Sequence, residues 1–466
     1  MDTAKEQVVP VSAAVTPAGA PDRDLTRAEI DGLAVAGDYA AISKPNLSPI
    51  LGRYYERNWS HGEGHTLYDS TGRGFLDFAC GIATTSLGHH HPAVTAAIKD
   101  QADKLLHICN ALGYLEPVGR LAAMLADACP DPLDTVFFCN SGAEAIEASL
   151  KLARRATGRP GIIAFRGAFH GRTFGAASIT SSSLNYRQGY EPLLPSVYLT
   201  SFPNAYRDFG GDDEAASAGA MSDLRTLLSH EIPAESVASI VIEPIQGEGG
   251  FNPAPASFLR ELRALCDEHG ILLIFDEVQS GIARTGRMWA FEHAGVVPDV
   301  VCVAKALANG MPIGAIVSRR ELQERWGVGA HGTTFGGNPV SCAAGIAVMR
   351  TIDEQHLVAN AAARGAELLA GLQALMAGDD RIGDVRGRGL MVGVEFVRDR
   401  STPEPDGDTC EALIQACADQ GLLVLNCGTH HSVVRFLPPI DVTTEEIATG
   451  LRLFSAALRS VPRATA

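Results

Sequence analysis

The sequence predicts an α/β protein built on a largely parallel sheet, and three observations carry that prediction. Predominantly apolar runs of strand length recur through the middle of the chain, among them GIIAF (161–165), VASIVI (237–242) and ILLIF (271–275). A run without polar alternation reads as a strand buried on both faces. Amphipathic stretches of helical period separate these runs. Strand, helix and strand in repeated alternation then imply parallel strands with helices over both faces.

The elements follow in order. Residues 1 to about 45 are rich in Ala, Pro and small polar residues and read as a mobile N-terminal arm. Tyr68 to Phe78, with Thr71-Gly72-Arg73-Gly74 in its middle, reads as a hairpin. TVFFCN (135–140) is a strand leading into the helix SGAEAIEASLKLARRATG (141–158). After GIIAF and VASIVIEP comes the helix of residues 257–270. Its Phe258, Leu259, Leu262, Leu265 and Cys266 form one apolar stripe that stops at Gly270, in the usual cap position. ILLIF, DVVCVA (299–304) and GAIVS (314–318) follow as strands. From about residue 356 the pattern changes to a helix, a turn-rich VRGRGLMVGVEF, then GLLVLNCGTHHSVVRFLPP, which predicts a smaller α+β unit.

Composition excludes several classes of function. Lys and Arg number 38 against 54 Asp and Glu, a formal charge of −16. Such a charge disfavours non-specific binding to nucleic acid or anionic membrane, and neither is expected as a partner. The 10 cysteines lie singly with no C-x-x-C pair, a pattern of buried reduced thiols rather than disulfides or zinc. His89 to His91 cannot all face one ion from a regular element, so no metal is expected. The N-terminus lacks a basic segment followed by an apolar one, and no apolar run reaches the roughly 20 residues that span a bilayer. The expectation is a soluble cytoplasmic protein.

Ligands of an open parallel sheet bind beyond the carboxyl ends of its strands. Asn140-Ser141-Gly142-Ala143 follows TVFFC, RGAFHGRT (166–173) follows GIIAF, Glu243 follows VASIVI, Asp276-Glu277-Val278-Gln279 follows ILLIF, and Lys305 follows DVVCVA. Ser141 caps the next helix, with Glu144 completing a capping box. Read alone, that segment is an ordinary helix cap before it is anything else. Beside the other groups, its free N–H groups, hydroxyl and glycine make a phosphate site. Lys305 lies where a following helix presents its positive end, a poor place for a cation unless it is neutral or covalently occupied. A desolvated lysine has a lowered pKa and forms Schiff bases, although a single lysine more commonly snorkels to solvent. A phosphate cup, such a lysine and an acid on the neighbouring strand together match pyridoxal phosphate, whose ring nitrogen needs a carboxylate partner. Asp276 is that carboxylate, and Phe169 is the aromatic placed to stack on the ring.

FFCNSGAEAIEASLKLAR, AFHGRT, EPIQGEGG, LLIFDEVQSGIARTG, VAKALANGMPIGA and TTFGGNP together resemble the class III aminotransferases. The resemblance runs over roughly residues 47–460 with the motifs in family order. It is strongest to the 4-aminobutyrate branch, near the acetylornithine and ornithine enzymes. It implies a fold-type-I pyridoxal-phosphate transferase. Behind an arm of residues 1–45, residues 46–93 and 356–466 build a small α+β domain, and residues 94–355 a large cofactor-binding one. Lys305 matches the Schiff-base lysine and Asp276 the partner of the ring nitrogen. Gln279 matches the contact to the ring's phenolic oxygen, Phe169 the stacking aromatic, and Ser141, Gly142 and Ala143 the phosphate cup, with His170 among the cofactor residues. Thr334 matches a threonine reaching the phosphate from a second subunit, which implies a homodimer with shared sites.

On the substrate side the resemblance implies Arg386 for the α-carboxylate of glutamate or 2-oxoglutarate, and Arg172 for a distal carboxylate. Glu248 matches a gate glutamate that pairs with Arg386 when the donor lacks an α-carboxylate, and Glu243 lies in the same motif. Ile82 sits where 4-aminobutyrate enzymes carry isoleucine and ornithine enzymes tyrosine. The expected reaction moves the amino group of a 4-aminobutyrate-like ω-amino acid to 2-oxoglutarate, giving a semialdehyde and L-glutamate. Acetylornithine, ornithine or diamine transamination, and epimerisation or amino migration on the same scaffold, remain open alternatives, as does a non-enzymatic binding protein on this scaffold. Cys80 in DFACGIA and the pair His430-His431 depart from the family pattern on the donor side.

Overall fold

Val, Ile and Phe dominate the runs that the sequence marks as strands. In the computed structural model, which describes residues 25–462, those runs lie side by side in one seven-stranded sheet. Its strands are β1 (Thr135–Cys139), β2 (Gly161–Phe165), β3 (Val197–Thr200), β4 (Val237–Ile242), β5 (Leu272–Asp276), β6 (Val300–Val303) and β7 (Gly314–Ser318). Their spatial order is β1-β7-β6-β5-β4-β2-β3. Only β7 runs antiparallel to its neighbours, and β2, β4, β5, β6 and β7 are buried along their whole length. The edge strand β3 escaped the sequence reading, because its partly exposed VYLT lacks a continuous apolar signal.

The helix Gly142–Thr157 packs Ile146, Leu150 and Ala153 into the same core as Ile274, Cys302 and Ile316. Local chemistry sets its ends. Ser141 accepts the Glu144 N–H at its start, Gly158 closes it in the left-handed conformation, and Arg154 and Arg155 complement the last turn. Ten cysteines are unpaired, eight of them buried.

The described chain divides into two compact units, one of residues up to His61 with Tyr68–Gly74, the other of Gly62–Leu67 with Phe75 onward. Of the expected arm, residues 1–24 lie outside the described residues. The remainder carries the helices Arg27–Val35 and Tyr39–Ser43, the first started by a Thr26–Glu29 capping box. In the same unit the expected hairpin turn is present. Asp69 exchanges backbone hydrogen bonds with Gly72 and Arg73, and its carboxylate accepts the Thr71 and Arg73 N–H groups.

The second unit also contains an antiparallel sheet near its C-terminus. Four of its five strands are β8 (Ile382–Arg388), β9 (Met391–Asp399), β10 (Leu425–Cys427) and β11 (Val433–Phe436), in the order β8-β9-β11-β10, and the fifth, Thr402–Pro405, pairs with β9 off this path. VRGRGLMVGVEF is thus the β8–β9 hairpin. Leu76 and Asp77 return to pair in parallel with Leu422 and Leu423. His65 ties into the start of the helix Thr444–Ser460, with Nε2 3.0 Å from Asp441 and Nδ1 2.8 Å from Glu446. Burial opposes its charge, but the two carboxylates prevail and raise its pKa to about 9.

A histidine whose folded pKa exceeds its unfolded value stabilises fully below the unfolded pKa and loses that contribution as pH rises through the folded one. The stability difference between wild type and His65→Gln, from urea unfolding, is therefore expected to be largest near pH 6 and to shrink through about pH 9. A difference that grows with pH contradicts the assignment.

Candidate active site

Strands β1, β2, β4, β5 and β6 all end at one rim of the sheet, and β7 begins there. The residues just beyond those ends enclose a cavity of about 460 Å³. Its wall includes Ser141, Gly142, Ala143, Phe169, His170, Arg172, Glu243, Glu248, Asp276, Gln279 and Lys305. Residues scattered over 164 positions of sequence converge because the strands carrying them are parallel and the turns lie on one side.

At one end of the cavity stands the start of the helix Gly142–Thr157, whose first-turn amides have no partner inside the helix. Glu144 departs from the expected capping box. Its carboxylate reaches past Ser141 to Asn140, accepting from the backbone N–H at 2.9 Å and the side-chain amide at 2.8 Å. A Cβ on Gly142 would sit 2.7 Å from Val278 Cγ1, so glycine lets the helix start close against the β5 turn.

Asp276 closes β5, in register with Cys302 on β6, three residues before Lys305. One of its oxygens is 2.7 Å from His170 Nδ1 and the other accepts the Val278 N–H at 3.0 Å. Burial opposes protonation of His170, but Asp276 and Glu243 raise its pKa. Glu243 accepts the Phe169 and Gly247 N–H groups. Burial raises its carboxyl against the pull of His170. Lys305 opens the short turn Lys305–Ala308 with φ of 42°, a left-handed conformation costly for a side-chain-bearing residue. Enclosure lowers its pKa, with Glu248 and Asp276 acting the other way.

Glu277, next to Asp276, takes no part in this wall. It is buried, accepts the Ser280 hydroxyl at 2.7 Å and the Phe291 N–H at 2.9 Å, and burial pushes its carboxyl up to about 7. Successive strand residues face opposite ways. One acid therefore meets the cavity and the other pins the following loop.

These residues fit pyridoxal phosphate. Gln279 Oε1 and His170 Nε2 are buried and, among the described residues, have no hydrogen-bond partner. Buried polar atoms on a cavity wall want a bound group. The helix N-terminus with Ser141, Gly142 and Ala143 would hold the phosphate, Phe169 the ring face, Asp276 the ring nitrogen and Gln279 the phenolic oxygen. Phe169 is itself braced edge-on by Tyr186, with ring centroids 5.3 Å apart, and the exposed Arg172 lies 4.4 Å over the Tyr186 ring.

At the other end the structure corrects one expectation. Glu248 is paired with Arg435, not with Arg386. Arg435 is 1% exposed. Burial opposes the charge on Glu248, but the Arg435 guanidinium outweighs it and lowers the pKa. Arg386 lies outside this cavity, on the wall of a second one of about 510 Å³. Its guanidinium is engaged by Asp384 (2.9 Å), Glu395 (2.5 Å) and the Gly250 carbonyl (2.6 and 3.1 Å). The reason is register. Arg386 and Arg435 both stand opposite Gly393, one on each side of β9, so the sheet sends them to opposite flanks of one loop. Arg435 was missed, although a lone arginine inside the apolar alternation of VVRF signals a buried charge that needs a partner.

Two other expected residues are not on this cavity's wall. Thr334 is exposed. Ile82 is 38% exposed, within a run from Cys80 to Ala83 whose φ angles are 48°, 56°, 64° and 64°. Asp77 anchors that strained run by accepting the Ala79 and Cys80 N–H groups.

Comparison with known proteins agrees with this geometry. The family model Aminotransferase class-III matches residues 52–458. The acetylornithine aminotransferase of Methanopyrus kandleri is 42% identical over 418 residues, covering 88% of this chain and 98% of that protein. The 4-aminobutyrate aminotransferase GabT of Escherichia coli is 38% identical over 394 residues, covering 84% and 91%. Among solved structures, an amine transaminase from an uncultivated Pseudomonas species in its PLP-bound form superposes with a TM-score of 0.83 at 29% identity, over 90% of this chain and 99% of that one.

Borohydride treatment of the protein loaded with pyridoxal phosphate is expected to add the pyridoxyl mass to the peptide containing Lys305. Lys305→Ala should carry no such mass while keeping the wild-type unfolding midpoint within a few degrees. Labelling elsewhere, or none, would show the lysine assignment to be wrong.

Proposed function

The chain belongs to the class III aminotransferases, which use pyridoxal phosphate. From that premise we propose that it moves the amino group of an ω-amino acid such as 4-aminobutyrate to 2-oxoglutarate, giving a semialdehyde and L-glutamate. The Glu248–Arg435 pair is the observation that carries this reading. One cavity must accept both a dicarboxylate and an amine donor without an α-carboxylate. A guanidinium holds a carboxylate by two hydrogen bonds, and Arg435 with Arg172 supplies two such groups. With an ω-amine bound and Glu248 turned away, Arg435 would lose a carboxylate partner, and losing one partner of a buried pair costs about 3–5 kcal/mol. Glu248 removes that cost. When 2-oxoglutarate enters, its α-carboxylate takes the place of Glu248, and Arg172 at the mouth takes the distal one.

Pyridoxal phosphate, when bound, supplies the electron sink that stabilises negative charge at the donor carbon. The chain supplies the rest. Asp276, oriented by His170 and the Val278 N–H, presents a carboxylate to the ring nitrogen. Lys305, with its pKa lowered by enclosure, takes and returns a proton at Nζ. Although Ile82 is not on this cavity's wall, its match to the isoleucine of the 4-aminobutyrate enzymes favours a monocarboxylate donor. We further infer that the protein acts in the cytoplasm as a homodimer, with Thr334 of one protomer completing the phosphate site of the other.

The 42% identity to an acetylornithine enzyme favours a second reading, in which the donor is acetylornithine. Incubation with 2-oxoglutarate and a panel of 4-aminobutyrate, 5-aminovalerate, ornithine, acetylornithine and putrescine separates the two. The fastest glutamate formation is expected from 4-aminobutyrate or 5-aminovalerate. No glutamate from any donor would sink the transaminase reading. In Arg435→Gln, kcat/KM for 2-oxoglutarate is expected to fall roughly 10- to 100-fold, the worth of a charge-assisted hydrogen bond, with a smaller loss for 4-aminobutyrate.

A further inference from the structure

The two arginines that flank Gly393 act on the same loop. Residues directly opposite one another in antiparallel strands share a face, so Arg386 on β8 and Arg435 on β11 project from one side of the sheet. The loop of residues 247–251 lies between them, close over Gly393. A Cβ on that glycine would meet Phe251 Cβ at 3.0 Å and the Gly250 carbonyl oxygen at 3.5 Å. Arg435 holds the loop by a side chain, that of Glu248. Arg386 holds it by the main chain, donating from Nε and Nη2 to the Gly250 carbonyl at 3.1 and 2.6 Å.

Arg386 is itself immobilised. Glu395, 1% exposed, stands on the same face two residues beyond Gly393. It engages Arg386 with one oxygen and Arg207 with the other. Asp384, two residues before Arg386 on β8, takes a further Arg386 donor at 2.9 Å. The Glu248 carbonyl is also held, by the Gly428 N–H at 2.9 Å. The main chain of the Glu248 loop is therefore held at the Glu248 and Gly250 carbonyls, while the Glu248 side chain is held by its ion pair with Arg435.

We propose that Arg386 is a positioning residue. It clamps the main chain of the Glu248 loop, so that Glu248 leaves and rejoins Arg435 by side-chain rotation alone, and it sets the balance between ω-amine and dicarboxylate substrates without touching either. This rests on the exchange reading of Glu248 given above. The clamp matters most in the half-reaction that needs Glu248 seated on Arg435, that of the ω-amine. With L-glutamate bound, Glu248 is displaced and its seating is irrelevant. The expected bias is thus opposite to that of a residue binding the α-carboxylate.

The test uses the holoenzyme of wild type, Arg386→Met and the milder Arg386→Lys, which keeps one donor for the Gly250 carbonyl. Single-turnover kcat/KM is measured separately with 4-aminobutyrate and with L-glutamate. In Arg386→Met the ratio of the two is expected to fall about tenfold against the amine, the scale of a small misplacement of an active-site group, and Arg386→Lys should recover part of it. A merely structural loss lowers both equally, and equal losses or a greater loss for L-glutamate overturn the proposal. Amide hydrogen exchange of residues 247–251 is expected to quicken in both variants, and an unchanged rate also overturns it. If Arg386→Met fails to fold, Arg386→Lys carries both readouts. If wild type converts neither substrate, the functional reading fails on its own, and the exchange rates still decide whether Arg386 clamps the loop.

Discussion

A charge buried in a protein must be paired, because its desolvation costs far more than the surrounding fold supplies in net stability. That constraint organises the catalytic rim. Asp276 is answered by His170, Glu248 by Arg435, and Glu395 by Arg386 and Arg207. All but Arg386–Glu395, which lies within one hairpin, join segments far apart in sequence. Each also fixes the direction in which a functional group faces.

The pairs are not equivalent. His170 and Asp276 form a fixed unit, walled in by apolar strand ends and the Glu243 carboxylate, so Asp276 keeps one orientation. Arg386, Glu395 and Asp384 form a second fixed unit, with the guanidinium surrounded by acceptors on several sides. Glu248 and Arg435 differ, because Glu248 lies on the cavity wall, and in the proposed exchange a substrate carboxylate takes its place. A rigid surround with one exchangeable contact is the arrangement that a two-substrate, shared-pocket reaction requires.

The acid pair Asp276-Glu277 shows how adjacent residues part company. Both close the same apolar strand and both are buried. The alternation of the strand turns one to the cavity and the other to the backbone N–H of Phe291. Glu277 then holds the loop that follows, and through it the packing of Trp289 against Phe291, whose rings are nearly parallel.

Much of this was legible in the sequence for direct physical reasons. Strands buried on both faces are written as predominantly apolar runs, so β2, β4, β5 and β6 were readable, as was the rim where Ser141, Phe169, Asp276 and Lys305 meet. The half-exposed β3 has no such signature. From the sequence, the resemblance implied an arginine for a substrate carboxylate. Which arginine of the small C-terminal sheet pairs with Glu248 was decided only by tertiary structure. Arg386 lies in the turn-rich VRGRG and Arg435 in the apolar VVRF. Cross-strand register places both opposite Gly393, and the loop folded over that glycine leaves Arg386 gripping main chain and Arg435 gripping the side chain of Glu248, which lies on the cavity wall. Register between strands some 50 residues apart is set by packing across the whole sheet, and no local stretch of sequence carries it.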